Sequence, residues 1–276
     1  MSIFDEPKID CHNHVLDPQR FPYATEAVYR PAGQEIGTAA QLDAVLAAYG
    51  VRHALIVGPN SGYGTDNRCL LDVLDKSAGR HRGVAVVPQD IDSAELRRLK
   101  VRGIVGVTMN ATYYEPGHYA NAGPLLDKLA ALDMFIQVQV EHDQLVGLAP
   151  MLLRSGARIV IDHCGRPTPD AGIEQAGFQA LLELGRTGRA SVKLSGYAKF
   201  SRLPYPYEDT HRYIHALVDA YTLDACSWGS DWPYLKATDR LDYGPLLKLV
   251  EILFPDRASR QKLLWDTPRA LFGFDA

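Results

Sequence analysis

The chain has 276 residues, of which 46% are hydrophobic and 22% are charged, and its formal net charge is −4. This balance is typical of a globular protein and lacks the basic surplus with which proteins bind nucleic acids or anionic membranes. No apolar run approaches the roughly 20 residues of a membrane-spanning helix and the first residues lack a signal-peptide pattern, so we expect a cytoplasmic protein without a membrane partner.

Short apolar segments alternate with amphipathic segments along the chain, beginning with a predicted strand at 8–15 and a helix at 38–50. The other predicted strands lie at 53–58, 83–88, 103–110, 134–141, 157–163, 190–196 and 225–231. The other predicted helices lie at 65–79, 92–100, 123–133, 143–156, 176–188, 207–221 and 242–254. Apolar strands separated by helices favour a parallel sheet. Eight such units in about 250 residues favour a (β/α)8 TIM barrel, and a doubly wound open sheet is the structural alternative.

We expect a single domain over 1–276, because no linker or low-complexity tract divides the chain. An extra C-terminal helix is predicted at 257–273, packed across the outside of the barrel and bent or broken at Pro268. The cysteines are interpreted as reduced thiols because they are scattered without a CxxC pair; they are Cys11, Cys69, Cys164 and Cys226.

Histidines and an aspartate stand at the carboxyl ends of three predicted strands. His12 and His14 end the first strand, His163 ends the sixth with Arg166 close behind it, and Asp231 ends the eighth. The carboxyl ends of the strands form the active site in barrels of this kind, so we expect these side chains at one mouth. Two interpretations stay open: a set of ligands for a divalent metal, or a metal-free acid/base cluster in which Asp231 activates water.

These motifs resemble the amidohydrolase superfamily, specifically the amidohydrolase-related branch that contains 2-pyrone-4,6-dicarboxylate hydrolase and sugar-acid lactonases. The resemblance runs over nearly the whole chain, from "DCHNHV" to "DTPRALFGF". Its most specific parts are "IDHCGRP" (161–167) together with "GSDWP" (229–233).

The resemblance implies a hydrolase that opens a lactone ring by water attack, with Asp231 as the general base. It implies that His12, His14 and His163 polarise the lactone carbonyl or hold a metal, and that Arg166 grips a substrate carboxylate. Members of this branch work either without metal or with one zinc. A single Zn²⁺ at His12, His14 and Asp231, with His163 as a further candidate ligand, and a metal-independent site therefore both stay open.

The chain departs from its relatives at the fourth and fifth strands. Gln139 stands where superfamily members with two metals carry a histidine, so we do not expect a binuclear centre. The pyrone dicarboxylate hydrolase has arginines where this chain offers Thr108 and Tyr113 or Tyr114. Because arginine is suited to carboxylates, its absence favours a small-molecule lactone with one carboxylate and a less acidic second half; the candidates are a carboxylated pyrone, a muconolactone and a sugar-acid lactone. The expected substrate-facing residues are Arg166, Tyr29, Ser61, Lys199 and Gln139.

The tyrosine-rich segments 111–119 and 202–209 are interpreted either as lids over the site or as an oligomer surface, so a homo-oligomer stays open. Asp162 is expected to face away from the site and to pair structurally.

Two rival functions are a metal-dependent decarboxylase of the same superfamily and a catalytically silent barrel that binds an acid. Loss of activity in chelator, with release of carbon dioxide from a carboxylated aromatic, would favour the first. The complete set of three histidines and Asp231 speaks against the second, because a silent barrel has no need of a charged base beside three imidazoles.

Overall fold

The computed structural model describes residues 2–115 and 117–275. Its strands form one sheet in chain order, with parallel pairing throughout. They are β1 Lys8–Asn13, β2 Val51–Val57, β3 His81–Ala85, β4 Ile104–Asn110, β5 Phe135–Gln139, β6 Arg158–Ile161, β7 Ala190–Leu194 and β8 Cys226–Trp228. Asn13 forms a parallel bridge with Trp232 just after β8, which brings the last strand beside the first. The predicted (β/α)8 barrel is therefore confirmed in place of the open sheet.

Helices follow the strands as the apolar periodicity predicts. They are α1 Ala39–Ala48, α2 Asn60–Tyr63, α3 Arg68–Lys76, α4 Ser93–Val101, α5 Gly123–Ala131, α6 Gln144–Arg154, α7 Ala176–Arg186, α8 Glu208–Tyr221, α9 Tyr243–Leu253, α10 Arg257–Gln261 and α11 Thr267–Phe272. Local signals fix some of their starts: the Thr38 hydroxyl accepts from the Gln41 amide, and the Gln41 side chain accepts from the Thr38 amide. Such a capping box satisfies amide groups that the first helical turn leaves free.

A register shift in β1 decides which of its side chains reach the active end of the barrel. The pairing of β1 with β2 slips between Asp10 and Asn13. Ile9 and Cys11 pack in the apolar barrel interior, whereas the Asp10 carboxylate turns towards β8 and α9 and accepts from Ser230 and Tyr243. Because a bulge breaks the strict alternation of a strand, His12 can then follow Cys11 into the barrel.

The C-terminal segment packs differently from the prediction. It remains helical from α10 through a π-helical turn, Lys262–Asp266, to α11, and Pro268 lies in the first turn of α11, where a missing amide N–H is tolerated. Its aromatic side chains close the amino-terminal end of the barrel instead of lying across the outer helices. The residues that form this apolar cluster include Trp265, Phe272 and Phe274 from the segment, with Ile9, Leu55, Val84, Phe135 and Val160 from the strands.

Candidate active site

Three imidazoles converge on one carboxylate oxygen at the carboxyl end of the barrel. Asp231 Oδ1 lies 3.7 Å from His12 Nε2, 3.6 Å from His14 Nε2 and 3.7 Å from His163 Nε2. All four residues are buried. The structure therefore brings together the four residues that the strand-end argument placed at one mouth.

Unusual backbone conformations aim two of these side chains. His163 has φ +50° and begins a left-handed run that ends at Arg166 with φ +45°, and Asp231 has φ +61°. Left-handed conformations cost on the order of 1–3 kcal/mol for residues other than glycine and persist where the surrounding structure holds them. Here the Asp231 amide donates to the His12 carbonyl at 2.7 Å, so the strained turn after β8 is tied to β1.

The tautomer of His14 follows from its backbone contact. His14 Nδ1 lies 2.7 Å from the carbonyl oxygen of Val57. A carbonyl oxygen only accepts, so Nδ1 carries the proton and, in the neutral ring, Nε2 presents a lone pair. That lone pair faces Asp231 Oδ1, another acceptor. Two acceptors at this distance repel each other unless a proton or a cation lies between them.

A buried ion pair lies directly beneath His12. Asp162 Oδ1 is 3.2 Å from His12 Nδ1 and 3.1 Å from Lys193 Nζ, and Lys193 also donates to Gln137 Oε1 at 2.5 Å. The expectation that Asp162 faces away from the site is wrong, because its carboxylate supports the His12 ring from inside the barrel. A carboxylate at this position favours a proton on Nδ1, which directs the Nε2 lone pair of His12 towards Asp231 as well.

The charge states of the cluster follow from burial and from two lysines. Burial lowers the pKa of His12 to about 4 and holds the pKa of His163 well below its usual value, so both rings are neutral at pH 7. Burial by itself would raise the pKa of Asp231, but Lys199, whose Nζ lies 2.9 Å from Asp231 Oδ2, and the nearby histidines hold it well below its usual range. Asp231 is therefore ionised at neutral pH.

Within the part of the chain that the structure describes, two groups of buried residues offer metal ligands: His12, His14 and Asp231, and, deeper in the barrel, His12, Asp162 and His163. Lys193 already places an ammonium 3.1 Å from Asp162 and 3.3 Å from His12 Nδ1, so the deeper group is neutralised by a resident cation. Lys193 contacts the same Asp162 oxygen that faces His12, whereas in the outer group Lys199 contacts Asp231 Oδ2 and leaves Oδ1 to face the histidines, so the outer group can hold a metal ion. A zinc ion lies about 2 Å from each of its ligand atoms, so two ligand atoms of one ion are at most about 4 Å apart. The distances from Asp231 Oδ1 to His12 Nε2 and His14 Nε2, 3.7 and 3.6 Å, meet this limit.

The cluster lies at the floor of a cavity of about 380 Å³. Among the predicted substrate-facing residues, Arg166, Ser61, Lys199 and Gln139 line this cavity. Tyr29 is not among the lining residues but lies behind one of them: its hydroxyl donates to Glu35 at 2.6 Å, and Nζ of Lys236, from the cavity wall, lies 4.7 Å from its ring centroid. Tyr113, from the first tyrosine-rich segment, is at the cavity wall, and Pro116 of that segment lies outside the described residues.

Three charged residues with a role at the site were not identified from the sequence. Asp10 and Lys193 lie fully buried inside strands, and Glu141 pairs with Arg166 at 3.0 Å. A lysine or an aspartate within an apolar strand is a signal in itself, because such residues are almost never fully buried unless paired. A buried charge within a strand thus predicts that a charged or polar partner exists. It does not identify the partner, because the partner lies far away along the chain.

Comparison with known proteins places the chain among lactone-cleaving enzymes. It is 33% identical over 274 residues to 4-sulfomuconolactone hydrolase of Rhizobium radiobacter, covering 96% of this chain and 89% of the relative. It is 27% identical over 278 residues to 2-pyrone-4,6-dicarboxylate hydrolase of Comamonas testosteroni, with 96% and 89% covered. A crystal structure from Acinetobacter baumannii, described as a probable 2-pyrone-4,6-dicarboxylic acid hydrolase with citric acid bound, superposes with a TM-score of 0.89 at 28% identity, covering 97% of this chain and 99% of that one.

The family model described as Amidohydrolase matches residues 9–274, a span that runs from β1 through the C-terminal segment. The matched span contains the His12–His14 pair, His163 and Asp231. The chain belongs to the amidohydrolase family.

Proposed function

We propose that the protein hydrolyses the ring ester of a lactone, with Asp231 as the general base. The observation that carries the proposal is the ionised Asp231 carboxylate at the cavity floor, surrounded by three imidazole nitrogens at 3.6–3.7 Å. The names of the relatives support this reaction class. In the reaction, water oxygen bonds to the lactone carbonyl carbon while Asp231 accepts a water proton; the ring carbon–oxygen bond then breaks, and the proton passes to the leaving oxygen.

We further propose that His12, His14 and Asp231 hold a single Zn²⁺, with His163 beside them. The facing lone pairs of His14 and Asp231 support this assignment, because a cation between them converts repulsion into attraction. When bound, the ion polarises the carbonyl and raises the acidity of water. That help matters here, since a carboxylate whose pKa is held so low is a weak base on its own.

The protein's other side chains have separate tasks in this proposal. Lys199 keeps Asp231 ionised and fixes the direction of its Oδ1. Asp162 holds the His12 ring from below, and Lys193 holds the Asp162 carboxylate in place. Arg166 and the neutral polar wall bind the substrate away from the reacting carbonyl.

A lactone panel tests the proposal. It contains a muconolactone, a carboxylated pyrone and a sugar-acid lactone, each assayed before chelator treatment, after it, and after zinc is added back. We expect release of a hydroxy acid or its keto form, inactivation by chelator and recovery with zinc, together with about one zinc per chain by elemental analysis. Lack of turnover on every lactone in every metal state would overturn lactone hydrolysis, and full turnover by metal-poor protein would overturn the zinc assignment. Carbon dioxide release from a carboxylated aromatic would indicate the decarboxylase instead.

Cytoplasmic location, a homo-oligomeric state and a single domain over 1–276 stay predictions.

A further inference from the structure

The charges that line the cavity cancel. Among the described residues of its wall, the acidic and basic side chains are equal in number: Glu141, Asp231 and Asp239 against Arg166, Lys199 and Lys236. Two of these cations are already paired, Lys199 with Asp231 at 2.9 Å and Arg166 with Glu141 at 3.0 Å. The described side chains of the wall therefore carry no net charge of their own, and a zinc ion held by the His–Asp cluster would add positive charge at the reacting carbonyl and not beside Arg166.

The Arg166–Glu141 pair follows from the topology. Glu141 comes two residues after β5, and Arg166 ends the left-handed turn after β6, the neighbouring parallel strand. The His142 amide donates to the Arg166 carbonyl at 3.1 Å, which locks the two strand ends together. The Glu141 side chain is 31% exposed and the Arg166 side chain is 22% exposed, so water screens the pair only in part.

Arg166 is thus a neutralised anion-binding residue. A substrate carboxylate that approaches its guanidinium also approaches the Glu141 carboxylate, and like charges disfavour each other at such distances. Arg166 Nε is buried and has no hydrogen-bond partner among the described residues. Because that N–H is buried, a substrate contacts Arg166 through the exposed part of the side chain, which can bind a neutral acceptor or one carboxylate. A second carboxylate there meets Glu141, and the third cation of the wall, Lys236, lies 4.7 Å from the Tyr29 ring centroid.

The remaining wall is polar and neutral. Asn110 donates to Asn60 at 3.4 Å and accepts from Thr112 at 2.8 Å, and Gln139 donates to Thr112 at 3.4 Å. Amide and hydroxyl groups both donate and accept. They can bind hydroxyl and carbonyl oxygens of a substrate, but they add no positive charge.

We propose that Glu141 is a specificity-determining residue that restricts the substrate to lactones with at most one carboxylate. This inference rests on the proposed lactone hydrolysis, and it specifies how many negative charges the substrate of that site carries. Glu141 lies outside the His–Asp cluster, so it acts on substrate binding and leaves the bond-breaking steps unchanged.

The test compares wild-type protein with Glu141→Gln on two lactones that differ by one carboxylate, 2-pyrone-6-carboxylate and 2-pyrone-4,6-dicarboxylate. We expect the variant to lower KM for the dicarboxylate at least about tenfold more than KM for the monocarboxylate, with kcat changed less than about threefold, because removal of a ground-state repulsion changes binding uniformly. Glu183→Gln, an exposed charge removal on α7, is the matched control and should leave both KM values unchanged. An unchanged ratio of the two KM values in Glu141→Gln would overturn the proposal.

Arg166→Met and the double variant Arg166→Met/Glu141→Gln test whether Glu141 acts through Arg166. We expect the effect of Glu141→Gln to disappear in the Arg166→Met background, and an undiminished effect there would overturn the pairing argument. If no lactone is hydrolysed, the proposed function fails, and charge selection is then read from calorimetric binding of pyridine-2-carboxylate and pyridine-2,4-dicarboxylate. A shift of their Kd ratio in Glu141→Gln would support the role of Glu141 even then, and an unchanged ratio would refute it.

Discussion

Asp231 combines an ionised carboxylate with a position at the floor of the cavity. Its Oδ1 faces the three imidazoles, while Lys199 occupies its Oδ2. The amide of an asparagine at this position cannot accept a water proton. We therefore expect Asp231→Asn to lower kcat for lactone hydrolysis at least about 10³-fold, within the 10²–10⁴-fold range of a positioned general base. Steady-state kinetics measure the loss, circular dichroism checks that the fold persists, and near-native turnover would remove Asp231 from the mechanism.

Lys193 and Asp162 are a buried ion pair whose members are both fully inaccessible to solvent. Burial would raise the pKa of Asp162, but Lys193 and His12 hold it well below its usual range. Lys193→Met leaves Asp162 as an uncompensated buried charge. We expect the free energy of unfolding in urea to fall by about 3–5 kcal/mol.

The double variant Lys193→Met/Asp162→Asn shows whether Lys193→Met destabilises the protein through the unpaired Asp162 charge or through lost packing of the lysine side chain. Because the double variant buries no unpaired charge, it should recover part of the stability. A loss below about 1 kcal/mol in Lys193→Met alone would contradict the ion-pair interpretation.

The barrel closes where β1 meets the end of β8, and the Asp10 side chain makes hydrogen bonds across this contact. Asp10 Oδ1 accepts from the amides of His12 at 3.1 Å and Ser230 at 2.9 Å, and Oδ2 accepts from the hydroxyls of Ser230 at 2.6 Å and Tyr243 at 3.0 Å. Asp10→Ala leaves these buried donors without an acceptor. We expect it to lower the free energy of unfolding by about 2–4 kcal/mol, and to lower kcat because His12 and Asp231 lie on the two elements involved.

Asp10→Asn is the matched variant, since it retains one acceptor oxygen. Its losses in stability and in kcat should be smaller than those of Asp10→Ala. Equal stability of Asp10→Ala and wild type would show that the two strands close without this carboxylate.

His81, at the start of β3, makes the stability of the barrel depend on pH. Burial, with Arg80 nearby, lowers its pKa to about 4, from an ordinary value of 6.5. Between these two pH values His81 binds a proton in the unfolded chain but not in the folded chain. The stability that the neutral, buried His81 contributes is therefore fully present above pH 6.5 and is lost as the pH falls towards 4. The slope is roughly 1.4 kcal/mol for each pH unit crossed. His81→Gln should flatten the curve of urea midpoint against pH in this window, and an equal slope in both proteins would exclude His81 as a cause.

At the scale of the whole molecule, the two ends of the barrel have separate tasks. The carboxyl end carries the site, and the C-terminal segment seals the amino end, where Phe272 packs against Phe135 with ring centroids 5.4 Å apart. Phe272→Ala removes a buried aromatic far from the cavity. We expect a loss of about 3–5 kcal/mol in the free energy of unfolding, with kcat at 25 °C unchanged within about twofold. A large fall in kcat at full folding would mean that the two ends are coupled.

Among the described residues, every helix is too short or too polar to cross a membrane.

The sequence by itself determined the barrel and the central cluster. Helix and strand periods are local properties, and eight alternating units leave few ways to bury their apolar faces. His12, His14, His163 and Asp231 could be grouped without coordinates, because the carboxyl ends of parallel strands meet at one mouth whatever the details of packing.

Only the tertiary structure decided which charges pair and which way certain side chains point. The Lys193–Asp162 and Arg166–Glu141 pairs join different strands, and no local pattern encodes a contact between residues so far apart along the chain. The register shift in β1 lets His12 follow Cys11 into the barrel interior, and a one-residue irregularity of this kind overrides the alternation from which side-chain direction is predicted. The C-terminal segment covers the amino end because its aromatic residues find the unfilled apolar interior there, which exists only once the eight strands have closed.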